Sequence, residues 1–204
     1  MMNQIDQSLA TALSQTKLLE ARVDALFAFM RRKGQSFYDE EVTQLQHALQ
    51  CAHLARRSNG TAEQITSALL HDLGHFLMDE SNEQSNFQQE DWEHELIGAE
   101  YLAPFMPRSV TDPILLHVLA KRYLCSTEQS YFQSLSRASM RSFHLQGGPM
   151  SDEEIRAVEE HPSFASALLI RRWDDGSKVV GLDVADLESF GEVVGSCFLI
   201  QGCA

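Results

Sequence analysis

The sequence lacks the features that would fix a disulfide framework or a membrane anchor. Its four cysteines (Cys51, Cys125, Cys197 and Cys203) are scattered over 204 residues and include no CxxC pair. Reduced thiols in a cytoplasmic protein are the simplest interpretation of that pattern. No apolar run is long enough to cross a bilayer, and the first residues lack the basic and apolar regions of a signal peptide. We therefore expect a cytoplasmic protein without a membrane partner.

Basic residues are also scarce. Sixteen lysines and arginines stand against 29 aspartates and glutamates, which gives a formal net charge of -13 at pH 7. Nucleic acid is disfavoured as a partner, because a phosphate backbone requires a basic surface. A small anionic substrate remains compatible with this charge, since metal ions and a few local cations can reverse the field inside a pocket.

Strand patterns are missing as well, because apolar and polar residues never alternate for more than a few positions. Helical periodicity predicts an all-α bundle in a single domain, residues 1–204, without repeats or linkers. We expect an N-terminal helical extension (1–34), a metal-binding core (37–176) and a C-terminal helix (184–200). The polar stretch 79–91 is either a disordered segment or a lid. The sequence predicts helices at 5–33, 42–57, 61–72, 92–101, 128–145, 164–173 and 184–200. It also predicts two helices by their starting points, at residues 111 and 151.

An apolar helical run ends in the adjacent residues His71 and Asp72, and His75 follows one turn later. Neighbouring side chains on a helix diverge by about 100°. Such a pair can hold one ion from two sides, or the carboxylate can bridge two ions. An isolated His-Asp pair is more often the polar end of a helix, so the metal interpretation depends on further ligands.

Further candidate ligands recur at intervals of about one helix plus one turn. His47 precedes the pair by 24 residues, His94 follows it by 22, His117 follows after 23 more, and Asp174 comes later. Imidazole and carboxylate groups suit iron, manganese or zinc. Six such groups exceed what one ion with an open position requires, so we predict a dinuclear metal site in the core of the bundle, bridged by Asp72. The candidate ligands are His47, His71, Asp72, His94, His117 and Asp174.

The order His47, His71-Asp72, Asp174 resembles the H…HD…D pattern of the HD-domain superfamily, and the two intervening histidines resemble its dinuclear branch. Within that branch the sequence is similar to mixed-valent diiron oxygenases that cleave 1-hydroxyalkylphosphonates. The resemblance covers about residues 37–176. It is carried by the segments 44–50, 70–75, 117–124, 146–150 and 170–174.

This resemblance implies two iron ions, as an Fe(II)/Fe(III) pair, and O2 as co-substrate. The family type acts on 2-amino-1-hydroxyethylphosphonate, and a similar member acts on the N-trimethylated analogue. The implied products are therefore glycine or glycine betaine, with phosphate, in organophosphonate catabolism. The protein's part is to hold ligands and substrate in place and to exclude water.

The family's phosphonate contacts correspond to Lys121, Ser139 and Arg171. Lys121 lies one turn beyond His117 and Arg171 one turn before Asp174, so each cation shares a helix face with a candidate ligand. A solvated surface charge is the usual role of a lysine or arginine, but this placement favours anion binding. Ser139 is supported by the motif alone.

His75 corresponds to a substrate contact or to a group that orders the ligands, with a helix-end cap as the alternative. The connector before His47 departs from the family pattern, in which a Tyr occupies an iron position and a Glu three residues later contacts the substrate amine. These positions fall on Phe37 and Glu40 without a gap, or on Tyr38 and Glu41 with a one-residue shift. Aromatic rings beside carboxylates also suit a quaternary ammonium, which favours the trimethylated substrate.

Two other functions are compatible with the HD pattern. A metal-dependent phosphohydrolase is the main alternative, because most members of the superfamily hydrolyse phosphate esters with a metal-bound water. The Gly-Tyr-Pro signature of its dinuclear cyclic-dinucleotide hydrolases is absent. A catalytically silent signalling module is disfavoured, since the ligand set is complete. The sequence carries no signal for the oligomeric state.

Overall fold

The structure, a computed structural model, describes residues 5–37, 42–78 and 93–200. These ranges contain helices and one isolated antiparallel bridge between Phe37 and Thr43, but no strand. The predicted all-α class is therefore confirmed. None of the helices in this part of the chain is both long and apolar enough to span a bilayer. In chain order they are α1 (Ser8–Gln15), α2 (Leu19–Lys33), α3 (Gln44–Arg57), α4 (Ala62–Leu70), α5 (Leu73–Leu77), α6 (His94–Leu102), α7 (Arg108–Thr127), α8 (Gln129–Ser134), α9 (Arg137–Leu145), α10 (Asp152–Glu159), α11 (Phe164–Asp175) and α12 (Gly191–Cys197), with a short 3-10 helix at Leu187–Phe190.

Helix α4 lies in the centre of the bundle. It packs against α3, α7, α11 and α12, and every residue from Ile65 to Leu70 is buried. A helix that is buried on all sides has no face for solvent. His71 and Asp72 follow Leu70 directly, so the end of this helix delivers both side chains to the interior of the protein.

The main hydrophobic core extends from the first helix to the last. Leu9 and Leu13 of α1 belong to the same cluster of buried side chains as Leu69 of α4 and Val194 of α12. A smaller cluster joins α7, α10 and α11 around Phe164. The division of the chain into an extension, a metal-binding core and a C-terminal helix stays a prediction.

Capping boxes fix where three helices begin. At the start of α3 the Thr43 hydroxyl accepts a hydrogen bond from the Gln46 backbone N–H, and the Gln46 side chain accepts one from the Thr43 N–H. Thr61 and Gln64 repeat this arrangement at α4, and Ser151 does so at α10. The sequence predicts the second and third boxes and misses the first. Such caps stabilise a helix by about 1 kcal/mol.

Two segments predicted as continuous helices are broken. The predicted helix 5–33 divides into α1 and α2 near Thr16, whose hydroxyl accepts a hydrogen bond from the backbone N–H of Leu18. The predicted helix 128–145 divides into α8 and α9, and Ser136 caps the second piece through its side chain. Threonine and serine side chains bond to nearby backbone groups in competition with the helix, which accounts for both breaks.

Two further boundaries differ from prediction. Helix α7 begins at Arg108, three residues earlier than expected, so that Pro113 lies within the helix and Val110 joins the core. The C-terminal helix predicted at 184–200 is reduced to α12 and the preceding 3-10 turn, which Asp186 caps with its side chain. Proline prefers the first turn of a helix but does not require it, so Pro113 does not fix where α7 begins. The side-chain cap of Asp186 explains why the C-terminal helical segment begins later than residue 184.

Helices α5 and α6 meet at a close contact between backbones. A Cβ atom at Gly74 would lie 2.0 Å from the carbonyl oxygen of His94, and one at Gly98 would lie 3.1 Å from the Gly74 nitrogen. Only glycine fits at position 74, because real Cβ atoms do not come within 3.0 Å of another backbone. This contact sets how near the start of α6 comes to the end of α4.

Candidate metal centre

The six ligands predicted from the sequence lie together in the interior. Five separate segments supply them: α3, the turn after α4, the first residue of α6, the middle of α7 and the end of α11. The side chain of Asp72 is 21% exposed, and the other five residues are buried. The residues brought together are His47, His71, Asp72, His94, His117 and Asp174.

The Asp72 carboxylate lies between two pairs of histidines. Its Oδ2 atom is 3.4 Å from Nε2 of both His47 and His71. Its Oδ1 atom is 3.4 Å from Nε2 of His94 and 3.8 Å from Nε2 of His117. Each carboxylate oxygen therefore faces one histidine pair, which is the arrangement of a carboxylate that bridges two cation sites. We refer to the pair on Oδ2 as the first ligand group and the pair on Oδ1 as the second.

Backbone carbonyl oxygens orient three of these imidazoles. The Nδ1–O distances are 3.0 Å for His47 and Ser177, 2.9 Å for His71 and Ala68, and 2.7 Å for His117 and Ile114. A carbonyl oxygen only accepts, so the proton of each neutral ring is on Nδ1 and the Nε2 lone pair is directed into the centre. The fourth ring, His94, has Nδ1 3.3 Å from a carboxylate oxygen of Glu95.

Within each group the two Nε2 atoms lie close together. The separation is 3.2 Å between His47 and His71, and 3.2 Å between His94 and His117. Two imidazole nitrogens at this distance require a proton or a metal cation between them, because two facing lone pairs would repel. Imidazole nitrogens and carboxylate oxygens are ordinary ligands of first-row transition metals. The donor set therefore fits a metal ion in each group.

Two triads among the described residues have donor atoms close enough together for one ion. They share Asp72: the first adds His47 and His71, and the second adds His75 and His94. His75 enters the second triad in the position that the sequence assigns to His117. Its ring stacks on that of His94 at 4.0 Å between centroids, and its Nε2 lies 4.0 Å from Asp72 Oδ1.

Asp174 adds a second carboxylate to the first group. Its Oδ1 is 3.2 Å from Nε2 of His47, and its Oδ2 is 3.9 Å from Nε2 of His71 and 2.5 Å from Nη1 of Arg171. The first group thus holds four protein donors when Asp72 is included. The second group has fewer carboxylates of its own, among the described residues.

The electrostatics keep the carboxylates charged and two of the rings neutral. Burial alone would raise the pKa of Asp72, but the charge of His71 and hydrogen bonds from the surrounding rings lower it well below the ordinary value. Burial would likewise raise the pKa of Asp174, but the Arg171 guanidinium, together with a hydrogen bond from His47 and more distant positive charges, lowers it well below the ordinary value. Burial, followed by the positive charge of His94, lowers the pKa of His75 and of His117. Burial lowers the pKa of His47, His71 and His94 as well, but the neighbouring carboxylates outweigh it and raise the pKa of all three, which favours the protonated rings in the absence of metal. Ionised carboxylates and neutral imidazoles are the forms that bind metal, so binding would release these protons.

Two of the predicted anion contacts, Lys121 and Ser139, are joined by a serine that the sequence does not single out. The buried Lys121 donates through Nζ to Ser142 Oγ at 2.9 Å. Ser142 Oγ donates in turn to the Ser139 carbonyl oxygen at 3.1 Å. The Ser139 hydroxyl accepts from Ser136 Oγ at 3.2 Å and from Lys178 Nζ at 3.5 Å. Lys121 and Ser139 are therefore neighbours, as the resemblance implies.

Arg171 is held more firmly than its predicted role requires. Nη1 pairs with Asp174 and Nη2 with Asp175, while Nε lies 3.0 Å from both the Tyr131 hydroxyl and Asp175 Oδ2. The Tyr131 hydroxyl also donates to Asp175. A guanidinium has five N–H donors, and three of them are engaged here. Asp175 could have been recognised from its spacing of four residues on the same helix, but no sequence signal identifies Tyr131.

The predicted gating residues Tyr38, Glu40 and Glu41 lie outside the described residues, as does the stretch 79–91. Phe37, the other candidate for the family's tyrosine position, has a side chain that is 67% exposed. The choice between the two alignments stays open.

Comparison with known proteins gives three relatives and one family. The HD domain matches residues 45–174. The chain is 58% identical over 197 residues to the hydroxymethylphosphonate dioxygenase of Gimesia maris, covering 97% of this chain and 98% of the relative. It is 40% identical over 169 residues to the [1-hydroxy-2-(trimethylamino)ethyl]phosphonate dioxygenase (glycine-betaine-forming) of Leisingera caerulea, covering 81% and 84%. An uncharacterized protein of Acanthamoeba polyphaga mimivirus is 32% identical over 158 residues, covering 77% and 72%.

These relatives and the ligand geometry agree. An HD domain and two dioxygenase relatives imply a metal cofactor, and the paired donors around Asp72 provide the residues to hold it. The family that the sequence motifs predict is confirmed. The chain belongs to the HD-domain family and, within it, to the phosphonate dioxygenases.

Proposed function

We propose that the protein is a diiron oxygenase that cleaves the C–P bond of a 1-hydroxyalkylphosphonate with O2 and releases phosphate and a carboxylic acid. The observation that carries the proposal is the Asp72 carboxylate between two histidine pairs, next to the buried cations Lys121 and Arg171. Relatives that act on two different hydroxylated phosphonates support this reaction class.

The protein ligands would be divided unequally between two ions. His47, His71 and Asp174 would hold the first ion, and His94 and His117 the second, with Asp72 shared. When bound, the iron pair supplies the redox chemistry for O2 and the Lewis acidity for the substrate hydroxyl. Because the second group has fewer protein donors, it leaves more coordination positions for small molecules.

The protein residues bind and orient the substrate. Lys121, with a serine hydroxyl at 2.9 Å, offers a charged donor for the phosphonate oxygens. The remaining N–H groups of Arg171 offer a second donor. His75, neutral and buried against Asp72 and His94, is placed to contact the C1 hydroxyl. The burial of all these groups keeps bulk water from the reacting carbon.

We further propose hydroxymethylphosphonate as the first substrate to test, since the 58% identical relative carries that name. Oxidation of this substrate balances as HOCH2PO3²⁻ + O2 → HCO2⁻ + HPO4²⁻ + H⁺. The amino and trimethylammonio substrates expected from the sequence remain candidates, with glycine or glycine betaine in place of formate. The choice among these substrates would depend on the connector that contains Tyr38, Glu40 and Glu41.

The test is a comparison of the three substrates on protein purified without oxygen and loaded with iron. We expect phosphate release that consumes one O2 per phosphate, and about two iron ions per chain by elemental analysis. An Asp72→Asn variant is the matched control, because it preserves shape and weakens the bridge. Hydrolysis of phosphate monoesters without O2 consumption, or one zinc ion per chain without iron-dependent activity, would instead identify a metal-dependent phosphohydrolase.

A further inference from the structure

Lys178 lies in a segment that is tied to helix α3 on both sides. The residue before it, Ser177, is fully buried, and its carbonyl oxygen and hydroxyl lie 3.0 Å and 3.1 Å from Nδ1 of His47. The residue after it, Val179, exchanges two hydrogen bonds with the Gln50 side chain, at 3.0 Å and 2.8 Å. The backbone that carries Lys178 is therefore fixed relative to the first ligand group.

The Lys178 side chain is half-buried and directed at a predicted substrate contact. Its Nζ lies 3.5 Å from the hydroxyl of Ser139. Lys121 reaches the same part of α9 through Ser142. Two ammonium groups on different elements thus converge on one turn of α9.

The cations are close enough to act on one another's electrostatics. Burial, with the positive charges of Arg171 and Lys178, lowers the pKa of Lys121 from 10.5 to about 7. Neighbouring positive charges repel one another, even though Arg171 is paired with Asp174 and Asp175. A bound anion with two negative charges would offset that repulsion.

We propose that Lys178 is a further cationic contact of the phosphonate group, acting together with Lys121 and Ser139. This inference rests on the proposed function, which supplies a phosphonate at this position. A phosphonate presents three oxygens, so one contact leaves acceptors unsatisfied. Three N–H donors of Arg171 already bond to protein side chains, so Arg171 offsets the charge of the phosphonate only in part. Lys178 adds a further positive charge.

The experiment is calorimetric titration of inorganic phosphate into the iron-loaded protein without O2, combined with metal analysis. Lys178→Ala should raise the Kd for phosphate about 10- to 100-fold, because a charge-assisted contact is lost. Lys178→Arg should keep most of the affinity. Lys17→Ala removes an equal charge at an exposed position and is expected to leave the Kd unchanged. Iron content should match the wild type in all three variants.

Steady-state kinetics on a 1-hydroxyphosphonate provide a second measurement, in which Lys178→Ala should raise KM far more than it lowers kcat. A wild-type Kd and KM in Lys178→Ala would overturn the inference. Loss of iron with an unchanged Kd per loaded site would also overturn it, because Lys178 would then only support Ser177 and His47. If the wild type cleaves no 1-hydroxyphosphonate, yet phosphate binding depends on Lys178, the anion contact is upheld and the proposed reaction alone fails.

Discussion

A methyl group at Gly74 should disable one ligand group and spare the other. The substitution Gly74→Ala places a Cβ 2.0 Å from the His94 carbonyl oxygen, whereas ordinary contacts of a Cβ begin at 3.4 Å. The start of α6 would therefore have to move by about 1.4 Å, the difference of these two distances. The opposing atoms are backbone, so a side-chain rotation cannot relieve the clash.

That displacement is large for metal binding. Ligand distances are held within about 0.2 Å in a working site, and His94 is the first residue of α6. The first ligand group lies on α3, the end of α4 and α11, none of which the new methyl group meets. We expect iron content to fall from about two ions per chain to about one, with a loss of stability of about 1–3 kcal/mol for overpacking.

The assay combines elemental analysis of the iron-loaded protein with thermal unfolding followed by circular dichroism. Gly191→Ala is the matched control, because a Cβ at Gly191 would make only ordinary contacts, 3.7 Å to Val23 and 3.9 Å to Phe27. The control should keep both ions and the wild-type Tm. A Gly74→Ala protein that binds two ions and turns over substrate normally would refute the reasoning, as would equal loss of both ions in a fully folded protein.

Three further predictions follow from the site. Asp72→Ala should abolish the EPR signal of a coupled mixed-valent pair after partial oxidation, and a signal of wild-type strength would contradict the bridge. Because the pKa of Lys121 is about 7 in the folded protein, its ammonium is charged below and neutral above that pH. Phosphate affinity should therefore fall as pH rises through 7, more steeply than in Lys121→Arg when both are measured by calorimetry. Arg171→Ala leaves the buried carboxylate of Asp174 and the half-buried carboxylate of Asp175 without this cation and should cost about 3–5 kcal/mol in urea unfolding of the metal-free protein. Arg172→Ala breaks only an exposed pair with Glu128 and should cost less than about 1 kcal/mol; equal losses would refute the distinction.

The four histidines of the candidate ligand set could be located from the sequence because they recur on successive segments at a regular interval. His47, His71, His94 and His117 are separated by about one helix and one turn, and this spacing survives small errors in helix boundaries. The breaks near Thr16 and before Ser136 do not disturb it, since they fall outside the ligand-bearing helices. Such breaks depend on single hydroxyl-to-backbone bonds, which hydrophobic periodicity does not report.

The residues around the ligands could not be predicted in the same way. Ser177 lies 130 positions from His47, Ser142 is one of two serines in α9, and Tyr131 reaches Arg171 from another helix. Each contact depends on how elements distant in sequence pack together. Lys178 follows α11 in an irregular segment, where no helical spacing relates it to a ligand. A sequence pattern predicts the candidate metal ligands. It does not predict the packing that positions the anion contacts.

Two of the metal-site histidines are aimed by their own helices. The carbonyl oxygens that hold His71 and His117 belong to Ala68 and Ile114, each three residues earlier in the chain. A main-chain oxygen is present whatever side chain its residue carries, so mutation cannot easily remove it. The direction of these two rings is thus robust to sequence drift in the surrounding bundle. His94, whose Nδ1 lies 3.3 Å from the side-chain carboxylate of Glu95, depends on a side chain for its orientation and is the candidate ligand most exposed to such drift.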